Sequence, residues 1–169
     1  MLLFDNPTQA TGFAVFLVTS ICCWLPGRRG GWRWLAAIYL VLAGELLLEG
    51  RHGLRLLVND LMQQSGLYSA RGGYQLVIAG LVTVVLLIAI YQILRRGLWT
   101  KVSQRGKRAW IATTGLLMFF AVEFLSVHAV DAVLYHTSGG LMHIAWIWLL
   151  LAGITTVSAI IEVRQSAGD

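Results

Sequence analysis

The chain predicts an all-α integral membrane protein, a polytopic helical bundle of five transmembrane helices with one amphipathic segment at the membrane interface. Three observations lead there. Of its 169 residues, 57% are hydrophobic and only 12% are charged, where a soluble domain carries about 25% charged. Mean hydropathy is +0.72. The apolar residues fall in runs near the roughly 20 residues that cross a hydrocarbon layer, and the basic residues collect between the runs. Spans use up almost the whole length, which leaves a single transmembrane domain over 1–169 with no separate soluble domain.

Span one covers about 8–25 and stops at Trp24, Pro26 and Gly27, an interfacial aromatic followed by helix breakers. The preceding MLLFDNPTQATGF has no basic region and no small-residue cleavage site, so this span is expected to stay in the mature protein. Cys22 and Cys23 are adjacent inside the span, which suits neither a redox pair nor a metal knuckle and predicts packing. Arg28, Arg29 and Arg33 form the first linker, and span two covers about 33–50, through Glu45.

Beyond it, 52–64 sets Leu54, Leu57, Val58, Leu61 and Met62 at helical spacing against Arg55, Asn59, Asp60, Gln63 and Gln64, the pattern of an interfacial amphipathic segment. Gly72-Gly73 turns into span three, about 74–94, which reads as packing. The stretch 95–108 carries Arg95, Arg96, Lys101, Arg105, Lys107 and Arg108 without an acidic residue. Span four, about 109–135, contains Glu123, His128 and Asp131. A tight connection through Gly139-Gly140 leads to span five, about 141–163, with His143 near its start and Glu162 at its end.

Ten of the thirteen basic residues fall on one side of this arrangement and three, Arg51, Arg55 and Arg71, on the other. The positive-inside rule then predicts an inner-membrane protein with its N-terminus outside and its C-terminus in the cytoplasm. Trp24, Trp32, Trp34, Trp99 and Trp110 form an aromatic belt on the basic side. The net charge of +5 is accounted for by topology, so the partner is the lipid bilayer and not nucleic acid. Gly44, Gly80, Gly115 and Gly153 are the positions at which helices are expected to approach closely.

The polar residues inside these spans carry the functional question. Glu45, Glu49 and His52 fall within about 60° on one helix face, and an ionisable group at membrane depth is a functional hypothesis in itself. Glu123, His128 and Asp131 form a broader arc on span four. Trp32 to Glu45 is thirteen residues, as is Trp110 to Glu123, and each following hairpin re-enters the membrane through a Gly-Gly pair. This spacing suggests a parallel repeat that puts both carboxylates in the outer half of the bundle.

The first chemistry such a cluster suits is a metal site. Glu49 and His52 make a Glu-x-x-His pair, and with Glu45, Glu123, His128 and Asp131 they offer mixed oxygen and nitrogen ligands for a divalent zinc, iron or manganese ion. One alternative is an internal ion-pair network in an accessory or structural subunit of a larger membrane complex, or in a homo-oligomer. A further alternative is electron transfer, with a b-type haem between His52 and His128 or His143, or a quinone beside Trp146 and Trp148. No pattern in the chain decides whether it is an enzyme.

Overall fold

The computed structural model describes residues 6–27, 31–48, 102–124 and 134–166. Four helices make up nearly all of them: α1 (Pro7–Trp24), α2 (Trp32–Leu48), α3 (Gln104–Phe124) and α4 (His143–Ser166). A two-stranded antiparallel hairpin, β1 (Thr137–Ser138) and β2 (Leu141–Met142), precedes α4. The all-α prediction therefore holds.

Local chemistry explains the helix ends. The backbone N–H of Thr8 donates to Asn6 Oδ1 at 2.9 Å, and Pro7 takes the first helical position, where a missing N–H is no loss. At the start of α3, Gly106 N donates to Ser103 Oγ at 3.0 Å, the same device. Between α1 and α2 the guanidinium of Arg33 lies 5.3 Å from the centre of the Trp24 ring, a cation–π contact across the connection.

Contacts along the helices set their directions. Gly12 lies beside Trp148 and Thr19 beside Thr156, so α1 and α4 run the same way. Leu46 also lies beside Gly12 while Ser20 bonds the carbonyl of Ala36, so α2 runs against α1. Ser103 bonds Glu162 and Gly115 faces Leu151, so α3 runs against α4. At one end Cys23, Trp32, Leu35, Ala36, Ala109 and Ala159 pack together. At the other, Phe16, Tyr39, Phe120 and Trp148 form an aromatic core, with Phe120 and Trp148 stacked at 5.6 Å and Phe16 tilted against the other three rings.

Apolar side chains lie outside the bundle as well as inside it, and several hydroxyls are buried among the inner ones. Thr19, Ser20, Thr113, Thr155 and Ser158 are buried, whereas Val41 is 70% exposed, Leu150 64% and Ile111 63%. Of the four helices, α1 and α4 are long and apolar enough to cross a membrane. Helix α2 has 17 residues, about 25 Å at 1.5 Å per residue, against a hydrocarbon layer of about 30 Å. Helix α3 begins with a charged turn, Gln104 to Arg108. Five spans are thus not reached among the described residues; the expected span over 74–94 and the amphipathic segment 52–64 lie outside them.

Several expectations are corrected. The helix expected from Ala109 starts at Gln104, because Ser103 caps it there. The last helix starts at His143 rather than Leu141, because Leu141 and Met142 pair with Ser138 and Thr137. Trp32 does not belong to an interfacial belt: it is fully buried, while Trp24 and Trp34 are exposed. Of the expected glycines, Gly80 lies outside the described residues, nothing lies within 4 Å of the side-chain position at Gly44 or Gly153, and Gly115 meets only Leu151 at 3.9 Å; Gly12 instead allows a close approach between helices. The packing role of the cysteines holds for Cys23, which is fully buried against the Trp32 cluster.

Candidate functional site

Of the six residues proposed to share a site, Glu49, His52, His128 and Asp131 lie outside the described residues. Glu45 is half-buried on α2, next to the fully buried Leu46, and Glu123 is placed by its backbone on α3, three residues beyond Phe120. Leu46 and Phe120 both belong to the aromatic core, so α2 and α3 carry their carboxylate positions to the same end of the bundle. Among the described residues no three His, Cys, Asp or Glu side chains come together to hold a metal ion.

Two arrangements were not anticipated. The first is a layer of hydroxyls in mid-bundle. Tyr39 Oη donates to Thr155 Oγ1 at 3.0 Å, and Thr113 Oγ1 lies 3.4 Å from Tyr39 Oη. Each hydroxyl has one proton, and the shorter distances allocate them. Thr113 donates to the Ala109 carbonyl at 2.8 Å and Thr155 to the Leu151 carbonyl at 3.2 Å. That leaves Tyr39 as the donor that crosses between helices, joining α2 to α4. Thr19 and Thr156 make a second crossing, from α1 to α4, at 2.9 Å.

The second arrangement is a histidine pair on the hairpin. Thr137 pairs with Met142 and Ser138 with Leu141, and His143 N donates to His136 O at 3.0 Å. His136 and His143 are therefore directly opposite, and their ring centres lie 5.4 Å apart in an edge-to-face arrangement. The turn is Gly139-Gly140, with φ of +64° and +84°, the two positive values that a type I′ hairpin turn requires. The segment HTSGGLMH is symmetric about that turn, with histidine at both ends. That symmetry is the signal in the sequence for the pair, whereas hydropathy alone assigns His143 to a span and His136 to a turn.

At the opposite end of the bundle, Ser103 Oγ donates to Glu162 Oε2 at 2.8 Å, and Arg105 lies 3.9 Å from the same oxygen. Arg105 also bonds the Gln165 side chain. Arg33, Arg108 and Arg164 are exposed at this end too. Glu162 is thus one partner in a tie between α3 and α4, within a basic rim.

Comparison with other proteins adds no relative. No family model, curated protein or solved structure matches the chain. The functional reading therefore rests on the residues themselves.

Proposed function

We propose that the protein is a small multi-pass inner-membrane helical bundle that serves as an accessory or structural subunit of a larger membrane complex. The observation that carries this reading is the apolar exterior, on which Val41, Ile111 and Leu150 face outward. An apolar surface of this kind suits acyl chains and is unfavourable in water. Orientation draws support from the rim: Arg33, Arg105, Lys107, Arg108 and Arg164 lie where α1 and α4 end and α2 and α3 begin. Basic residues favour the cytoplasmic side, which agrees with a cytoplasmic C-terminus. In a five-span chain, spans one and five run one way and spans two and four the other, the same parity as α1 and α4 against α2 and α3.

The subunit role draws support from the interior, which ring packing and the Tyr39–Thr155 bond close. Buried polar pairs of this type specify one arrangement of helices.

A second reading is a divalent zinc, iron or manganese ion held by Glu45, Glu49, His52, Glu123, His128 and Asp131. It is favoured by the placement of Glu45 and Glu123 at the same end of the bundle.

One purification tests both readings. The full chain is extracted from native membranes in mild detergent, and its co-purifying proteins, metal content and visible spectrum are measured. A stoichiometric membrane partner is the outcome expected of a subunit. One equivalent of metal that disappears in both Glu45→Ala and Glu123→Ala would favour the second reading. A protein that purifies alone in every mild detergent would overturn the first.

A further inference from the structure

The histidine pair on the hairpin has close to the ring separation of a chelate. In a bis-imidazole complex the metal–nitrogen distance is about 2.0–2.1 Å. With about 1.1 Å more from nitrogen to ring centre, two rings on one ion are separated by about 4.5 Å at a right angle and about 5.2 Å at the tetrahedral angle. His136 and His143 stand at 5.4 Å, within a few tenths of an ångström of the tetrahedral separation.

The backbone beneath them is fixed on three sides. Met142 N donates to Thr8 Oγ1 at 3.1 Å, which ties β2 to the start of α1. Trp146 Nε1 donates to Ser138 O at 3.2 Å, which ties β1 to the first turn of α4. The backbone bond from His143 to His136 closes the open end of the hairpin. A site built on so constrained a frame holds its ligands near the productive geometry before the ion arrives. His136 is exposed and His143 partly so, which gives an ion a route in.

We propose that His136 and His143 form a two-imidazole site for a divalent transition-metal ion, with copper(II) bound more tightly than nickel(II) or zinc(II). Imidazole suits all three ions, and affinities at a site of this kind follow the order that peaks at copper. Water completes the coordination. The site is separate from the six-residue cluster considered above and does not rest on it.

The test uses the untagged full chain in mild detergent, titrated with copper(II) chloride against a weak competing chelator. One equivalent of copper is expected, with two imidazole nitrogens coupled to the electron spin in pulsed paramagnetic resonance. His136→Ala and His143→Ala should each weaken copper binding at least about tenfold, because each removes the intramolecular second contact. The double variant, with neither imidazole left, should lose the one-equivalent site altogether. Circular dichroism checks that the variants keep their helices, and the nitrogen count on the native chain stands even if one of them does not. The proposal is overturned if the double variant binds copper as the native chain does, or if the native spectrum shows one coupled imidazole or none.

Discussion

The indole of Trp148 occupies the space in which Gly12 would carry a side chain: a methyl group there would sit 2.6 Å from Cζ3, 2.7 Å from Cε3 and 2.7 Å from Leu46 Cδ1. Helices α1, α2 and α4 meet at this notch. The Trp148 ring on which it closes also stacks on Phe120 of α3, so one missing side chain sets the spacing of the aromatic core.

Gly12→Ala is therefore expected to destabilise the bundle. Overpacking in a tight core costs about 1–3 kcal/mol, and Trp148 has Phe16 and Phe120 around it and little room to yield. Unfolding in detergent titrated with a denaturing surfactant would show the loss. Gly44→Ala, which meets nothing within 4 Å, serves as the control and should be neutral or mildly stabilising.

The hydroxyl layer supports a double-mutant cycle. Tyr39→Phe and Thr155→Val each remove one partner of the 3.0 Å bond. The coupling between them is expected near 0.6 kcal/mol and below about 1.7 kcal/mol, the range for interhelical hydrogen bonds in membranes. A coupling indistinguishable from zero would mean that the α2–α4 seam is held by packing alone.

How much of this was legible in the chain follows the physics of each signal. Helix type and approximate limits were legible, because long apolar runs with Pro, Gly and Arg between them permit little else. The caps at Asn6 and Ser103 are legible only as residue types, which occur equally in loops, and the second sets the start of α3 about a turn before the apolar run. Gly12 and Gly44 are indistinguishable in sequence, since what separates them is the tryptophan across the interface. Trp32 and Trp34 are likewise adjacent in pattern, yet helical periodicity turns one into the core and the other outward. Of the metal cluster, the sequence reading linked Glu45 and Glu123 by a thirteen-residue spacing, and the structure puts both on helices that reach the aromatic end.

Ser103 performs two tasks, and its removal should show both. Ser103→Ala takes away the cap on Gly106 N and the bond to Glu162. Loss of an N-cap costs about 1 kcal/mol. Ser103→Asp keeps a good cap but sets a second carboxylate against Glu162, so it should restore little of the loss. Thermal unfolding of the two variants beside the native chain reads the difference.

The hairpin turn depends on left-handed backbone at both glycines. Gly140→Ala should cost about 1–2 kcal/mol, because Cβ crowds the carbonyl in that region, whereas Gly140→Asn should be tolerated better. If the histidine pair is a chelate, Gly140→Ala should also weaken copper binding while leaving both imidazoles in the chain. Copper titration of this variant joins the turn to the site.

Orientation can be read directly. A reporter that works only in the cytoplasm is expected to be active when fused after Asp169, and one that needs the outer compartment inactive. The reverse pattern would invert the bundle and carry the hairpin to the cytoplasmic side.

The side-chain hydroxyls along the helices divide by where their protons go. Thr11, Thr19, Thr113, Thr155 and Ser158 each donate to the carbonyl four residues earlier in their own helix. These five hydroxyls have their protons satisfied within their own helix, with or without a neighbour. What they offer a neighbouring helix is lone pairs, whereas Ser20 and Tyr39 each donate their proton across to another helix. Helix formation and helix association thus draw on different hydroxyls: those bonded within their own turn serve the single helix, and those of Ser20 and Tyr39 serve the seams between helices.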